Sequence, residues 1–574
     1  MRQNLRSPSI REQVVSRADA TRNHGGGLAF TSDARTRLYT RVCASLAGEP
    51  KFYADGQTSD VELLADVAAA AAVDPEFVLR LAAYTRQVMH IRSTPIVVLA
   101  MAASIPACKP FVRRWTPEIV RRADEPAEVI AAWTRAHGPI GSHGERGGEH
   151  AFPNCLTRGL ADALGNFGEY HFAKYDRDRA VKLRDVLRIV RPKPGTPERS
   201  ALYRYLVKGE LDAALLPKLA AKSALLRKQA FDDEARALAA AADATWEVLI
   251  SHFGAKAETW NALRLPFMAG MRNIANLMRN GADEALDRVI AMLRNPEHVR
   301  RSRQLPFRFY SAYRVLDPSV AGEWCGISGR ALDERIASHP RRTEVMEALL
   351  AALEASVVNL PRLAGRTFIT ADNSGSMQSP VSERSTVALR DVANLLGAIA
   401  HTMCDQAVCS VFGESHKVVP VLSKDSIITN MARLANTDVG HATNAYLAVR
   451  HLRETKTRVD RIILFSDMQC YDSAQAAHGM WHESVRDASL AEELRRYRSQ
   501  VNPGVFLYSV DLAGYGTAQF PSDEPRVALL AGWSERLLEF IPSYEEDGTQ
   551  AVARIARWET GRAPSSAEDD PEAA

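Results

Sequence analysis

Seven cysteines in 574 residues are too few and too scattered to organise a fold. They stand at positions 43, 108, 155, 325, 404, 409 and 470. The number is odd, with no C-x-x-C pair and no zinc-like spacing to histidine, which excludes a disulfide framework and a thiolate metal site. Reduced core thiols in a cytoplasmic protein are the reading. Long apolar runs are also missing. The longest, Ser93 to Cys108, contains Pro95 and Pro106 and lies between Arg92 and Lys109. It is too short for a bilayer and predicts a buried helix. Residues 1–19 are charged every few positions and contain no apolar stretch of the secretory type, so neither export nor a membrane partner is expected. Catalytic signatures are absent as well. There is no G-x-x-x-x-G-K-[ST], H-E-x-x-H or G-x-S-x-G, and no histidine or cysteine stands in a nucleophile arrangement, so no enzymatic role is expected. The glycine-rich stretch from Gly138 to Gly148 reads as a flexible loop.

What is present is an ordinary globular composition, 46% hydrophobic and 25% charged, in a chain too long for one core. The net charge of +3 hides an asymmetry. Residues 1–360 hold 51 Lys and Arg against 41 Asp and Glu, whereas residues 361–574 hold 21 against 28. A polyanionic partner would meet the first part.

Periodicity divides the chain at the same place. From about residue 31 to 360 apolar residues recur at helical spacing, as in Val61–Val67, Glu76–Tyr84, Leu211–Leu216 and Ala285–Leu293. Asp74-Pro75, Thr116-Pro117, Pro192-Lys193-Pro194 and Leu265-Pro266 punctuate them, and Asp or Thr before Pro suits a helix start. More than 300 helical residues of no single bundle length predict a solenoid of stacked helix pairs. After Gly365 short unbroken apolar strands alternate with helices: strands at 366–372, 407–412, 416–422, 461–467 and 504–512, helices at 382–404, 427–434, 444–453 and 490–501. That is the pattern of a parallel sheet covered on both faces, a doubly wound, Rossmann-like α/β domain. The expected organisation is a helical domain over 1–360, an α/β domain over 361–560 and a disordered acidic tail over 561–574.

Ligands of such a sheet bind beyond the carboxyl ends of its strands. Asp372-Asn373-Ser374-Gly375-Ser376 follows the first strand, Gly440-His441-Ala442-Thr443-Asn444 precedes a helix, and Ser466-Asp467 closes a third segment. Two carboxylates and three hydroxyls are hard oxygen donors suited to Mg²⁺, and too few in charge to close the site. This set resembles the metal-ion-dependent adhesion site (MIDAS) of von Willebrand A domains. The resemblance implies direct ligation by Ser374, Ser376 and Thr443. Asp372 and Asp467 would bind directly or through water, and a partner's acidic group would complete the shell. The plainer alternative has Asp372 and Ser374 only capping the next helix; the three loops standing in the family's order speak against it. His441-Ala442 departs from the small, flexible residues expected there.

Asn23–Phe30, Tyr84–Pro95, Leu265–Asn276 and Gln304–Phe309 resemble the TROVE module of the Ro autoantigen family. With a C-terminal von Willebrand A domain the order is that of Ro proteins, bacterial members included, and the Ala- and Arg-rich composition suits a bacterial source. The resemblance implies a monomeric ring of HEAT-like helix pairs followed by the A domain. Such a ring binds Y-type small non-coding RNA on its outer surface and single-stranded ends of misfolded or precursor structured RNA in its hole, and presents them to an exoribonuclease.

The residues speak for RNA independently, though less strongly. From 174 to 193 eight basic residues face three acidic ones. Arg177, Arg184, Arg188 and Arg191 have spacings that place them on one helical face, with Lys174, Lys182 and Arg158 extending the patch. Tyr170, His171, Phe172 and Tyr175 could stack on unpaired bases. A solvated basic face over buried aromatics is the plainer reading of these residues alone. Leu183 stands where animal Ro proteins carry a histidine used for Y RNA, which puts that contact in doubt. Arg272, Asn273 and Asn276 read as structural. A second hypothesis treats the whole as an A-domain adaptor to a chelatase-like or other ATPase, without RNA.

Overall fold

Asp74 accepts the Phe77 amide at 3.0 Å and Pro75 occupies the first helical position, so the helix Pro75–Gln87 begins where the sequence predicts. The computed structural model in which this is seen describes residues 9–44, 56–138, 140, 152–175, 180–304, 306–317, 333–358, 360–382, 385, 387–471, 489–534 and 536–560. Cys325, the tail 561–574 and most of the Gly138–Gly148 stretch lie outside them. The six described cysteines are free thiols.

One compact unit comprises Val67–Ser302, Asp333–Glu344 and the segment from Trp558. Its described elements are all helices, and most pack on a near neighbour in the chain. Pro75–Gln87 meets Ser93–Ala102 and Lys109–Ile119, Lys109–Ile119 meets Asn154–Leu164, Leu183–Val190 meets Pro197–Lys208, and Phe267–Arg279 meets Asp283–Arg294. This is the solenoid arrangement that the helical periodicity predicts. The apolar run after Arg92 is the buried helix Ser93–Ala102. Two local expectations are corrected. Leu211–Leu216 is a turn, because Gly209 (φ 78°) ends one helix, Asp212 accepts the amides of Ala214 and Leu215, and Pro217 starts the next. Pro117 lies in the last turn of Lys109–Ile119 and starts nothing, while the Thr116 hydroxyl turns back onto the Val112 carbonyl at 2.6 Å.

The other unit comprises Met1–Asp66, Arg303–Leu332 and Val345–Arg557. Its described strands are β1 (Ala20–Arg22), β2 (Leu28–Thr31), β3 (Leu363–Asp372), β4 (Cys404–Phe412), β5 (His416–Val419), β6 (Arg461–Ser466), β7 (Phe506–Asp511), β8 (Thr517–Ala518) and β9 (Val527–Ala531). Six form a sheet in the order β5-β4-β3-β6-β7-β9, parallel except for the edge strand β5. This is the doubly wound topology expected, with β9 unforeseen, as was a separate three-stranded sheet β1-β2-β8. The order reverses between β3 and β6, so the crevice for a ligand lies beyond Asp372 and Ser466.

A boundary at residue 360 does not separate the compact units. The N-terminal β1–β2 hairpin extends through β2 onto β8, pairing Phe30 with Ala518. Val14 and Phe30 are buried in the same apolar cluster as Phe368, Ile462 and Leu507. The Ala531 amide donates to the Tyr39 hydroxyl at 3.2 Å. Burial of these apolar side chains, not chain order, decides membership.

Candidate functional site

Three loops meet at the carboxyl ends of β3 and β6, and backbone hydrogen bonds bind each to the next. Gly375 N–H donates to the His441 carbonyl at 2.9 Å, and Tyr471 N–H to the Thr443 carbonyl at 2.7 Å. The third side closes when the Ser466 hydroxyl donates to Asp372 Oδ2 at 2.7 Å. Asp372, Ser374 and Asp467 are fully buried, and Ser376 and Thr443 are 5% and 3% exposed. All five residues singled out in the sequence thus sit at a strand end or on loops that the fold draws together. The His441-Ala442 departure is accommodated because the His441 carbonyl serves the backbone bond while its ring lies beside Gly375.

The electrostatics of this cluster suit a cation. Asp372 Oδ1 accepts the Ser374 amide at 2.9 Å, and the Ser374 and Ser376 hydroxyls are 3.5 Å apart. Asp467 Oδ1 accepts the Gln469 amide at 3.0 Å. Its Oδ2 is buried and accepts no hydrogen bond of ordinary geometry. Burial, and then the charge of Asp467, pushes the Asp372 carboxyl up to about 7. Burial likewise raises Asp467, with the nearby Ser376 hydroxyl and a charge on His24 working the other way. Two desolvated carboxylates, one with a bare oxygen, are costly until a positive charge compensates them. Among the described residues no group of three or more His, Cys, Asp or Glu is arranged to hold a metal ion, so a cation here would rely on two carboxylates among hydroxyls. The donors fit a hard divalent ion that keeps water or takes an external oxygen ligand.

Residues beyond the expected five also shape the site. Asn373 donates to the Leu434 carbonyl at 2.9 Å and accepts from Asn394 at 2.7 Å, both buried. Ser466 directly precedes Asp467, and that adjacency was its one visible signal. The contributions of His24, whose charge bears on Asp467, and of the Gln469 amide left none.

The basic stripe belongs to the helical unit, and there the structure sorts the expected residues. Arg184 and Arg188 lie one turn apart on Leu183–Val190, exposed, above a buried row of Leu183, Val186, Leu187 and Val190. Both stand within 4.0 Å of Asp185. Lys182 precedes the helix, half-buried. Arg158 is exposed on Asn154–Leu164, which packs against the same helix. Arg191 is exposed but is not on the helix: it ends it in the left-handed region, φ 50°. The helix is shorter than the arginine spacing requires because Pro192 and Pro194 follow at once. Arg177 lies outside the described residues.

Lys174 is a correction. Only 8% of it is exposed, and its ammonium lies over the rings of Tyr170 and Tyr175 at 5.8 and 5.2 Å. Phe172 and Tyr175 are core side chains too, so of the four aromatics only Tyr170 and His171 are even partly exposed. The Glu169–Tyr175 helix turns its apolar side inward, and these rings go with it. Leu183 is 3% exposed, a packing residue here. Asn273 donates to the Ala269 carbonyl, Asn276 to Asn273 Oδ1, and Arg279 to Asn276 and Asp333, the structural role expected.

A TROVE domain is recognised over residues 29–214 and 234–321. The crystal structure of the Deinococcus radiodurans RO (RSR) protein matches 90% of this chain and 99% of its own, with TM-score 0.60 at 18% identity. The chain thus carries a TROVE domain and shares the fold of an RO protein. At that identity the structural likeness establishes the shared fold. Among similar sequences, telomerase protein component 1 of Mus musculus is 23% identical over 88% of this chain and 24% of that protein. The Rattus norvegicus protein is 23% identical over 83% and 23%. The RNA-binding protein RO60 of Caenorhabditis elegans is 26% identical over 37% of this chain and 31% of its own. This chain therefore spans about a quarter of the telomerase components. Among the described residues no helix is long and apolar enough to cross a membrane.

Proposed function

We propose that this protein is a non-catalytic RNA-binding scaffold of the cytoplasm. It holds a Y-type small non-coding RNA and engages single-stranded ends of misfolded or maturing structured RNA for quality control or exonucleolytic processing. The observation that carries the reading is the exposed pair Arg184 and Arg188, backed by an apolar row, within a TROVE domain. A relative of that family is named as an RNA-binding protein. Guanidinium groups one turn apart can follow successive phosphates, with Lys182, Arg191 and Arg158 at the margins. An A-form duplex suits such a contact, because its backbone is read without access to base edges.

The α/β domain adds a Mg²⁺ site at Asp372, Ser374, Ser376, Thr443 and Asp467, and a partner's acidic group completes the ion's shell. The bare Asp467 oxygen supports this assignment. The deciding experiment is to purify the protein from its host without nuclease and to sequence what accompanies it. Small structured RNAs recovered in stoichiometric amount support the proposal. A preparation free of RNA that also fails to retain a small stem-loop RNA in a filter assay overturns it.

A further inference from the structure

The loop that carries Asp467 cannot hold its own shape. Met468, next in sequence, has φ 61°, a left-handed conformation that a bulky residue adopts only under constraint, and it is fully buried. Internal hydrogen bonds supply part of the constraint, from Met468 N–H to Ser466 Oγ at 3.1 Å and from Gln469 N–H to Asp467 Oδ1 at 3.0 Å. The remainder comes from distant segments. Gln519, directly after β8, donates to the Met468 carbonyl. Asn23 Nδ2 donates to the Cys470 carbonyl at 2.6 Å, and His24 N–H donates to Gln469 Oε1 at 2.8 Å. More than 440 residues separate the two ends of each of these last two bonds.

The turn from Asn23 to Gly27 is built for this contact. Asn23 is 6% exposed and uses both ends of its amide, since Oδ1 accepts Gly27 N–H at 2.9 Å while Nδ2 serves Cys470. Its backbone closes the same turn, donating to the Gly27 carbonyl and accepting from Gly26, whose φ is 81°. Gly25 presses on the metal loop so closely that a Cβ there would lie 2.6 Å from the Tyr471 ring and 3.1 Å from the Gln469 carbonyl. β2 then continues into pairing with β8, beside Gln519. The hairpin and the β8 segment hold the Asp467 loop from one continuous three-stranded sheet.

We propose that the N-terminal turn Asn23–Gly27 is a positioning element of the divalent-cation site, with Asn23 holding the Asp467 loop in the geometry that binding requires. The inference rests on the metal reading above. An amide is required because the contact needs a donor toward Cys470 and an acceptor toward Gly27, and neither alanine nor aspartate supplies both. Removing the donor leaves the buried Cys470 carbonyl without it, and the strained loop relaxes away from the cation geometry. Outer partners of a metal ligand commonly tune affinity by about 10- to 100-fold.

The test uses the full chain, titrated calorimetrically with MgCl₂ well below its melting temperature, and melted separately in EDTA. Wild type binding Mg²⁺ and Asp372→Ala failing to bind establish the metal site itself. Asn23→Ala and Gly25→Ala are then each expected to weaken Mg²⁺ binding by about tenfold or more while the protein stays folded at the titration temperature. A merely structural role would lower the melting temperature in EDTA and leave the affinity of the folded protein unchanged. If wild type binds and Gly25→Ala and Asn23→Ala bind as wild type does, the proposal falls and the metal reading stands. If wild type itself does not bind, the metal reading fails and this inference falls with it. Should Asn23→Ala not fold, Gly25→Ala alone decides by the same measurement.

Discussion

Ser466 and Asp372 end adjacent parallel strands, and the hydroxyl of the first donates to the carboxylate of the second at 2.7 Å across the point where the strand order reverses. That bond, with the Ser374 amide on the other oxygen, orients Asp372 at full burial. It does not remove the repulsion of Asp467. The energetics of the site therefore turn on which positive species offsets two buried carboxylates, a proton or a divalent ion.

The first prediction follows from that competition. Burial and Asp467 raise Asp372 to about 7, from an ordinary 3.8. Folding then takes up a proton between those values, so without metal this group favours the folded state at low pH and loses that effect as pH rises toward 7. Mg²⁺ requires the deprotonated pair. The rise in melting temperature caused by Mg²⁺ should grow steadily from pH 5 to pH 8. Asp372→Asn should abolish that rise and match or exceed the metal-free wild type at pH 8. Melting curves across that range check both, and a Mg²⁺ effect independent of pH would count against the site.

The basic stripe yields a second prediction, which separates residues that sequence alone grouped together. Arg184→Glu with Arg188→Glu should weaken binding of a small structured RNA and reduce the slope of log affinity against log salt by about two, one per phosphate contact. Lys174→Ala should lower the melting temperature instead, since Lys174 is buried over Tyr170 and Tyr175. Its folded form should bind RNA with an unchanged salt slope. Filter binding at several salt concentrations, read beside thermal melts, distinguishes the two kinds of residue.

These contrasts mark what the sequence could carry. Asp372, Ser374, Ser376, Thr443 and Asp467 were legible because strand ends and loops follow local apolar runs, and a doubly wound sheet converts that order into proximity. Of the six-stranded sheet β3 to β7 were legible and β9 was passed over although Val527–Ala531 is an apolar run, while β8, two residues of the other sheet, gives no local signal. The N-terminal hairpin escaped because its partner, β8, is almost 500 residues away, and no local period reports such pairing. The arginine spacing suggested one helix from 177 to 191, whereas Pro192 and a left-handed Arg191 end the structured helix at Val190. Burial of Lys174 was hidden because a charged residue reads as exposed until the aromatic rings that take it in are placed.

Packing in the helical unit supplies a third prediction. Gly159, on Asn154–Leu164, lies so near Lys109–Ile119 that an added Cβ would fall 2.5 Å from Thr116 Oγ1 and 2.7 Å from Thr116 Cβ. The Thr116 hydroxyl is engaged with Val112 and cannot swing aside freely. Gly159→Ala gains helix propensity but must separate the two helices, with overpacking costing about 1–3 kcal/mol. Denaturant melts should show that net loss. An equal or more stable variant would mean that the helices part without cost.

The last prediction concerns acid. His416 lies on the antiparallel edge strand β5, its ring 5.0 Å from that of His451, and its Nε2 is buried with no hydrogen-bond partner among the described residues. Burial, and secondarily a charge on His451, lowers its pKa from 6.5 to about 4. The folded state thus keeps His416 neutral where the unfolded chain is already protonated. The stabilisation is complete above pH 6.5 and is lost as pH falls toward 4. Among the described residues no carboxylate bears on its titration, which burial and the His451 ring opposite govern. His416→Phe keeps an aromatic ring facing Phe368, 6.1 Å away in the wild type, and removes the titrating group. Its melting temperature should fall less than that of wild type between pH 6.5 and 4.5, with the two curves converging above pH 7. Parallel curves over the whole range would show that other groups govern the acid limb.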